Sequence, residues 1–272
     1  MARIVLFQQS TWIALMIASV ARAVEPTPPP LLDDLLFRPT VIVIRGTSQG
    51  SGTVIASSPG ETLVLTAAHV LESDAEPFIE VHRYNLGLER RRRPEGWPKK
   101  IPAKVVAIDS ASDVAVLKIA GFQAMPYVAT VAPGPAEAEP ETVVTSVGID
   151  RGAKLSSWRT RVIDFAAIDM KKKAGGGDRP FVLTEKPPDF GRSGGGLFRD
   201  DGTVVGVCVG RAEVIRGRRV GIFASNTSIH RLLRENALET SVARSLARRL
   251  PRSSPIERTR GVVPAPPAPE PR

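Results

Sequence analysis

A histidine, an aspartate and a serine each lie in a short stretch of sequence that suits one step of acyl transfer. His69 ends the run Thr66-Ala67-Ala68-His69, Asp113 opens the apolar run at 114–117, and Ser193 lies within Gly191-Arg192-Ser193-Gly194-Gly195. The order His, Asp, Ser along the chain is one of several that build the same triad geometry. Together the three stretches predict nucleophilic catalysis by a serine.

Ser193 is the candidate nucleophile, and the glycines around it explain why. A serine hydroxyl attacks a carbonyl only when a base removes its proton. Glycines on both sides let the backbone turn tightly, which can aim the N–H groups of Gly191 and Ser193 at one point. Such a pair of donors suits the negative oxygen of a tetrahedral intermediate. Taken alone the motif is weak, because glycine-serine turns are common.

His69 and Asp113 are the candidates for the base and for the group that orients it. His69 follows a predicted strand at 62–66, although a lone histidine in such a place is more often structural. Asp113 precedes a predicted strand and can accept a hydrogen bond from an imidazole N–H. Asp109 competes for this role, but we expect it to form a turn with Ser110, because Asp113 is the one that directly precedes the apolar run.

Short β-branched runs separated by turn residues must position these side chains. Such a texture, without helical periodicity between the runs, is typical of all-β barrels or sandwiches. After the strands, Asn226 or Thr227 is suited to cap a helix whose apolar residues recur at helical spacing. The predicted strands are 41–45, 51–56, 62–66, 78–82, 101–108 and 114–119 in the first half, and 142–149, 158–168, 181–184, 195–198, 203–209 and 219–224 in the second.

The motifs resemble those of the trypsin-like serine peptidases of the chymotrypsin fold, and among them the exported bacterial HtrA/Deg type. The resemblance covers about residues 39–238, and the motifs occur in the family's order. They are Gly50-Ser51-Gly52-Thr53-Val54-Ile55, Leu65-Thr66-Ala67-Ala68-His69-Val70, Asp113-Val114-Ala115-Val116-Leu117-Lys118 and Gly191-Arg192-Ser193-Gly194-Gly195-Gly196-Leu197.

The resemblance implies two six-stranded antiparallel β-barrels with the active site between them. It assigns His69 as general base and then acid, Asp113 as its orienting partner and Ser193 as nucleophile. The N–H groups of Gly191 and Ser193 would form the oxyanion hole. The substrate would be a protein or peptide, no cofactor or metal is implied, and the pocket would be walled by Val209, Gly210, Arg211, Gly221 and Ile222.

The chain departs from the family pattern next to the serine. Arg192 stands where these families usually have Asn or Asp. We expect its long cationic side chain to lie beside the cleft and to change the preference of the site for charged substrates. The pocket segments offer no acidic residue at the expected base. The sequence also ends without the PDZ domain of many HtrA-like members, so cage assembly is not assumed and the oligomeric state is left open. A catalytically weak or inactive module that binds peptides on a peptidase fold is the alternative interpretation.

The remaining segments predict export and a tail. Residues 1–23 resemble a signal peptide ending at Ala21-Arg22-Ala23, with an uncleaved membrane anchor as the alternative. We expect a Pro-rich linker at 24–38 and a peptidase domain at 39–238, made of barrels at about 39–121 and 141–225 and a helix at about 226–238. A short helix and a disordered, basic, Pro-rich tail would occupy 239–272.

Composition excludes some classes of function. The formal charge is +9, concentrated in runs such as 89–93 and 171–173 that lack the aromatic residues of a nucleic-acid surface. The same basic loops and tail fit weak attraction to anionic surfaces. The single cysteine, Cys208, cannot form an intrachain disulfide and lies in an apolar run, so we expect it to be a small buried hydrophobe.

Overall fold

The structure is a computed structural model that describes residues 32–249, apart from 93–94, 121–123, 135–137, 152–153, 168–179 and 216–217. The predicted signal peptide and the predicted tail after residue 249 lie outside the described residues. The last part of the predicted linker is a helical turn at Asp33–Phe37, in which Leu36 is buried. Arg38 pairs with Asp33 at 3.0 Å and with Glu89 at 2.6 Å, which fastens this turn to the first barrel.

The first sheet closes into a six-stranded barrel when the two short strands at the ends of its order, at 99–102 and 104–109, are counted as one bent strand. Its order is β5-β4-β1-β2-β3-β7-β6, with every pairing antiparallel. Only Ala103 separates β5 from β6, so the strand predicted at 101–108 pairs with β4 at one end and β7 at the other. The strands are β1 (Thr40–Arg45), β2 (Ser48–Ser58), β3 (Glu61–Thr66), β4 (Pro77–Val81), β5 (Lys99–Pro102), β6 (Lys104–Asp109) and β7 (Val114–Ala120).

The second sheet also closes, because the short strand at one end of its order also pairs near the other end. Strand β12 bonds to β9 and to β13, which joins the two ends of a six-stranded antiparallel set. A two-residue strand, β8, adds a parallel pairing on β13 that the sequence did not predict. The strands are β8 (Thr130–Val131), β9 (Val143–Asp150), β10 (Lys154–Ala167), β11 (Pro180–Thr184), β12 (Gly196–Phe198), β13 (Thr203–Ile215) and β14 (Arg218–Ser225).

The two barrels share apolar packing, which explains why three consecutive residues of β3, 63–65, are apolar. Successive residues of a strand point to opposite faces. Val64 packs inside the first barrel, whereas Leu63 and Leu65 belong to a cluster that also contains Val147 and Val207 of the second barrel. This shared cluster holds the ends of β3 and β7 against β9 and β13, where the site residues lie.

Two helices follow the second barrel. Helix α1 (Asn226–Glu235) buries Ile229, Leu232 and Leu233 on one face. Its N-cap is Ser225, whose Oγ accepts from the Ser228 N–H, and not Asn226 or Thr227 as the sequence suggested. Helix α2 (Glu239–Arg249) packs on β2, where Ser245 Oγ accepts from the Ser57 N–H at 2.9 Å. Within the described part of the chain, neither helix has the length and apolar character that a membrane crossing requires.

Candidate active site

His69 and Asp113 meet at the paired ends of β3 and β7. His69 lies in the helical turn Ala68–Leu71 directly after β3, and Asp113 directly precedes β7. The histidine ring Nδ1 lies 2.6 Å from Asp113 Oδ2, while the other carboxylate oxygen accepts from the His69 backbone N–H at 2.8 Å. The Ala68 N–H donates to the Asp113 carbonyl at 3.2 Å. These three bonds fix the ring, the carboxylate and both backbones in one arrangement.

The carboxylate determines both the tautomer and the pKa of His69. Because Asp113 Oδ2 accepts, the proton of a neutral ring lies on Nδ1, and Nε2 carries the lone pair. The hydrogen bond to Asp113 raises the pKa of His69 above its ordinary value, against an opposing effect of burial. The aspartate side chain is nearly covered and the imidazole is partly exposed, so the ring lies between a buried acceptor and the cleft.

Ser193 lies in a tight turn that is braced by both barrels. Gly191 and Gly194 adopt φ values of 88° and 86°, a left-handed region that favours glycine. The Gly194 N–H donates to the Cys208 carbonyl of β13 at 2.7 Å. From the first barrel, the Ser51 N–H donates to the Ser193 carbonyl at 2.7 Å and Ser51 Oγ donates to the Gly191 carbonyl at 3.0 Å. Ser51 belongs to the motif at 50–55, but the sequence did not predict this bracing role for it.

The peptide between Phe190 and Gly191 is turned so that its N–H is available. The Phe190 carbonyl accepts from the Arg151 N–H at 2.8 Å, on the hairpin between β9 and β10. A trans peptide directs its carbonyl and N–H to opposite sides, so the Gly191 N–H faces away from that hairpin. Neither the Gly191 nor the Ser193 N–H donates to another residue that the structure describes. Within the described part of the chain, both predicted oxyanion donors are therefore without a hydrogen-bond partner.

His69 and Ser193 line one cleft of about 240 Å³ between the barrels. The Ser193 hydroxyl donates to the Val209 carbonyl at 3.3 Å, and no hydrogen bond joins it to His69 in the described part of the chain. A second cavity, of about 510 Å³, shares His69 and Val209 with the first and extends past Asp113 and Leu71. The two cavities therefore adjoin at these shared residues, and together their linings include all three candidate catalytic residues; they are called the groove below.

Arg192 does not lie beside the cleft, contrary to the expectation from sequence. Its side chain is 0% exposed and points into the second barrel. The guanidinium forms two hydrogen bonds with Asp150, at 3.0 and 2.9 Å, and lies 5.1 Å from the centre of the Trp158 ring. The reason is the turn itself, which directs the arginine away from the groove and toward a carboxylate at the end of β9. The cation that does line the cleft is Arg211.

The predicted pocket walls divide into two groups. Val209, Gly210 and Arg211 line the cleft, and their role in binding substrate stays a prediction. Gly221 and Ile222 do not: they lie on β14, paired behind Arg211 and Gly210, and Ile222 is buried in the core. An added Cβ on Gly221 would lie 2.4 Å from Thr184 Oγ1, so close packing between strands accounts for this glycine.

The three residues that precede Gly191 also line the cleft, together with residues 209–211. They are Pro188, Asp189 and Phe190, none of which the sequence had suggested. Phe190 is 77% exposed, and the Arg211 guanidinium lies 4.9 Å from its ring centre, across the cleft mouth. Asp189 adds an acidic residue to the lining of the cleft, outside the segments predicted to wall the pocket. Their position just before the Gly191 turn was the available signal.

Asp109 forms a turn, in agreement with the local role expected for it. Its Oδ1 accepts from the N–H groups of Ala111 and Ser112 at 3.0 and 3.2 Å, and its Oδ2 accepts from Ser112 Oγ at 2.8 Å. These partners are the second and third residues after it. This turn leads the chain into Asp113.

Among the described residues, neither a metal-ligating cluster nor a reactive thiol is found. No group of three or more His, Cys, Asp or Glu side chains there has the arrangement of a metal site. Cys208 is fully buried, and burial raises the pKa of its thiol to about 12. A thiol in that state is a poor nucleophile.

Comparison with known families bears on these observations. The family model described as "Trypsin-like peptidase domain" matches residues 50–207, which is more than half of the chain. The chain belongs to the trypsin-like peptidase family. The matched range contains His69, Asp113 and Ser193, and the family predicted from the motifs is confirmed.

One relative of this peptidase domain is the serine protease Do-like HtrA of Lactobacillus helveticus. The two are 30% identical over 162 residues, which are 59% of this chain and 35% of the relative. The chain therefore spans about a third of the length of that curated relative. The relationship to HtrA-type peptidases confirms the resemblance found in the sequence.

Solved structures confirm the fold class of this peptidase domain. The inactive form of the Rv3671c protease matches with a TM-score of 0.56 at 20% identity, over 75% of this chain and 91% of that one. The active form of the Rv3671c protease from M. tuberculosis matches with a TM-score of 0.54 at 22% identity, over 72% and 80%. The serine endoprotease from Yersinia pestis matches with a TM-score of 0.55 at 18% identity, over 78% and 69%.

Proposed function

We propose that this chain is a serine endopeptidase that hydrolyses peptide bonds of proteins through an acyl-enzyme intermediate. The observation that carries the proposal is the meeting of the His69–Asp113 pair of the first barrel with Ser193 of the second on one cleft. Membership in the trypsin-like family supports it. In this proposal His69 is the general base, Asp113 orients it, and Ser193 is the nucleophile.

Acylation begins when the Ser193 hydroxyl leaves the Val209 carbonyl and turns toward His69 Nε2. The imidazole takes the hydroxyl proton while Oγ forms a bond to the substrate carbonyl carbon. The carbonyl electron pair moves onto its oxygen, and the free N–H groups of Gly191 and Ser193 stabilise that negative charge. Asp113 stays ionised and stabilises the imidazolium.

The tetrahedral intermediate then collapses and the leaving amine departs. His69 gives its proton to the amine nitrogen as the C–N bond breaks, which leaves an ester on Ser193. A water molecule attacks this ester, passes a proton to His69 and releases the carboxylic acid. The histidine returns that proton to Ser193 Oγ, so the enzyme ends in its starting state.

The groove suits an extended peptide beside the Ser193 turn. Residues 209–211 lie on β13 at the cleft, so their backbone can pair with a substrate strand. Pro188, Val209 and the ring of Phe190 give the cleft apolar walls, and its volume of about 240 Å³ fits a small or medium apolar side chain.

The domain division and the location in the cell are proposals from sequence. We infer barrels at about 39–121 and 141–225 in a peptidase domain at 39–238, and export directed by residues 1–23. Attraction of the basic loops and tail to anionic surfaces stays a prediction. The basic runs on which this prediction rests include residues 250–272, which lie outside the described residues.

A second candidate function is a peptide-binding module without turnover. The observation that favours it is the Ser193 hydroxyl, which is bonded to the Val209 carbonyl and not to His69. If this arrangement persists with substrate present, the serine has no base and the groove only binds.

Hydrolysis of fluorescently labelled casein by purified protein separates the two functions. We expect wild type to cleave casein and Ser193→Ala to fall by a factor on the order of 10⁶ in kcat, because the nucleophile is lost. Ser157→Ala, at an exposed serine on β10, is the matched control and should retain full activity. Cleavage by pure Ser193→Ala at the wild-type rate contradicts the assignment. Casein binding without cleavage by wild type supports the second candidate.

A further inference from the structure

The side chain before the nucleophile is anchored in the interior of the second barrel. Arg192 is the largest fully buried side chain among the described residues, and it is directly bonded along the chain to Ser193. Its Nε and Nη2 donate to the two oxygens of Asp150, at 3.0 and 2.9 Å, and its Nη1 donates to the Ser146 carbonyl at 3.1 Å. Such a two-pronged contact fixes the direction of the guanidinium as well as its distance.

The same hairpin contacts the turn on both sides of Gly191. Asp150 ends β9 and binds Arg192, the residue after Gly191. Arg151 follows it and donates its N–H to the carbonyl of Phe190, the residue before Gly191, at 2.8 Å. Consecutive residues of one hairpin therefore bind the turn on either side of the glycine that carries a predicted oxyanion donor.

We propose that the Arg192–Asp150 ion pair is a positioning element that keeps the Gly191 and Ser193 N–H groups aimed at the substrate carbonyl. The proposal rests on the proposed function, in which these two groups bind the oxyanion. Arg192 touches neither substrate nor reacting atoms in this scheme, so it acts through the backbone that it anchors.

Glycine makes such an anchor necessary. Gly191 has no Cβ to restrict its rotation, so the peptide between Phe190 and Gly191 can turn over at small steric cost. Turned over, it would present a carbonyl oxygen where the oxyanion must bind, and the site would repel the charge that it should stabilise. The contacts that oppose this rotation are the Arg151–Phe190 bond and the Arg192–Asp150 pair, which hold the hairpin and the turn together.

The central test is the double variant Arg192→Met/Asp150→Asn, which removes both charges and leaves neither buried ion without a partner. We expect kcat on a peptide substrate to fall about 10²–10³-fold with KM nearly unchanged, because oxyanion donors act on the transition state. Arg192→Lys keeps the charge but not the two-pronged contact, so its kcat should lie between wild type and the double variant.

The matched control is an arginine–aspartate pair on the surface of the same barrel. Arg159 Nη2 lies 3.0 Å from both oxygens of Asp200, with both side chains largely exposed. Arg159→Met should leave kcat and KM at wild-type values. It removes a similar ion pair without changing the turn. It therefore distinguishes an effect on the position of the turn from the general effect of removing an arginine–aspartate pair.

A crystal structure of the double variant gives a readout that does not require activity. We expect the Phe190 carbonyl to have left the Arg151 N–H and the Gly191 N–H to point away from the cleft. A folded double variant with wild-type kcat, or with the Phe190–Gly191 peptide unchanged, overturns the positioning role. If wild type and Arg159→Met are both inactive, the proposed function fails, and the crystal structure alone still decides the positioning claim.

Discussion

The hydrogen bond between His69 and Asp113 affects both the pKa of the imidazole and its role as a general base. Its Nδ1 lies 2.6 Å from Asp113 Oδ2, and this bond raises the pKa of the ring. A general base must be neutral to accept a proton, so a raised pKa shortens the pH range of activity on the acidic side. The same bond holds Nε2 in the form that can accept the Ser193 proton.

The variant Asp113→Asn tests this coupling through the pH profile. In wild type, kcat/KM should fall as the pH drops through a pKa above the ordinary value of about 6.5. In the variant, the charged carboxylate that raises the pKa of His69 is gone. The fall in kcat/KM should therefore move to lower pH, while kcat decreases about 10⁴-fold. A profile from pH 5 to 9 measures both effects. An acidic limit that stays in place contradicts the role given to Asp113.

The positions of residues that depend on local backbone could be predicted from sequence, whereas positions that depend on distant partners could not. His69 and Asp113 could be singled out because each adjoins a strand end, and the motif around Ser193 implied a glycine turn. The direction of Arg192 could not be predicted, because its partner Asp150 lies on another strand and is brought near only by the closed barrel. Gly221 and Ile222 were misplaced for the same reason, since pairing with β13 puts them behind the cleft.

The nucleophile turn is held by packing that leaves no room for a side chain. A Cβ on Gly194 would lie 2.1 Å from the Ser51 carbonyl oxygen and 2.3 Å from Thr66 Oγ1, both on the first barrel. The residue also has a φ of 86°, which L side chains rarely adopt. Close contact between two barrels therefore decides the position of the serine.

Gly194→Ala should both destabilise the domain and inactivate it. The left-handed backbone alone costs about 1–2 kcal/mol, and the clash with backbone atoms adds to that. Gly60→Ala is a matched control, because Gly60 has the same φ of 86° with nothing within 4 Å of an added Cβ. Thermal unfolding and casein hydrolysis measure the two effects. Equal losses in both variants would show that the packing against Ser51 is unimportant.

The strands were predictable to a large extent, because their runs of β-branched residues are interrupted by turn residues. Three details differ from the prediction, the first beside a proline that the sequence shows and the other two through contacts that a sequence does not display. Pro102 cannot donate a ladder hydrogen bond, and the strand predicted at 101–108 divides at the next residue, Ala103. The two residues of β8 are too few for a pattern, and their parallel pairing depends on β13. Helix α1 takes its cap from Ser225, the last residue of a strand.

At the scale of the whole molecule, the site exists only because two closed barrels pack against each other. The first barrel supplies His69, Asp113 and the bracing residue Ser51, and the second supplies Ser193 and the wall at 209–211. The apolar cluster that contains Leu63 and Leu65 together with Val147 and Val207 keeps these parts in register. Two barrels could be expected from the family resemblance, whereas the shared cluster and the Ser51 bridge follow from tertiary packing alone.

Labelling with a fluorophosphonate tests most directly whether the two barrels assemble an activated serine. The reagent phosphonylates a serine only when a base removes the hydroxyl proton and nearby donors stabilise the resulting charge. We expect one adduct per folded chain at pH 8, located at Ser193 by peptide mass spectrometry, absent from Ser193→Ala and strongly slowed in His69→Gln. A folded wild-type protein that takes up no label, or that takes it up at another residue, would show that Ser193 is not an activated nucleophile.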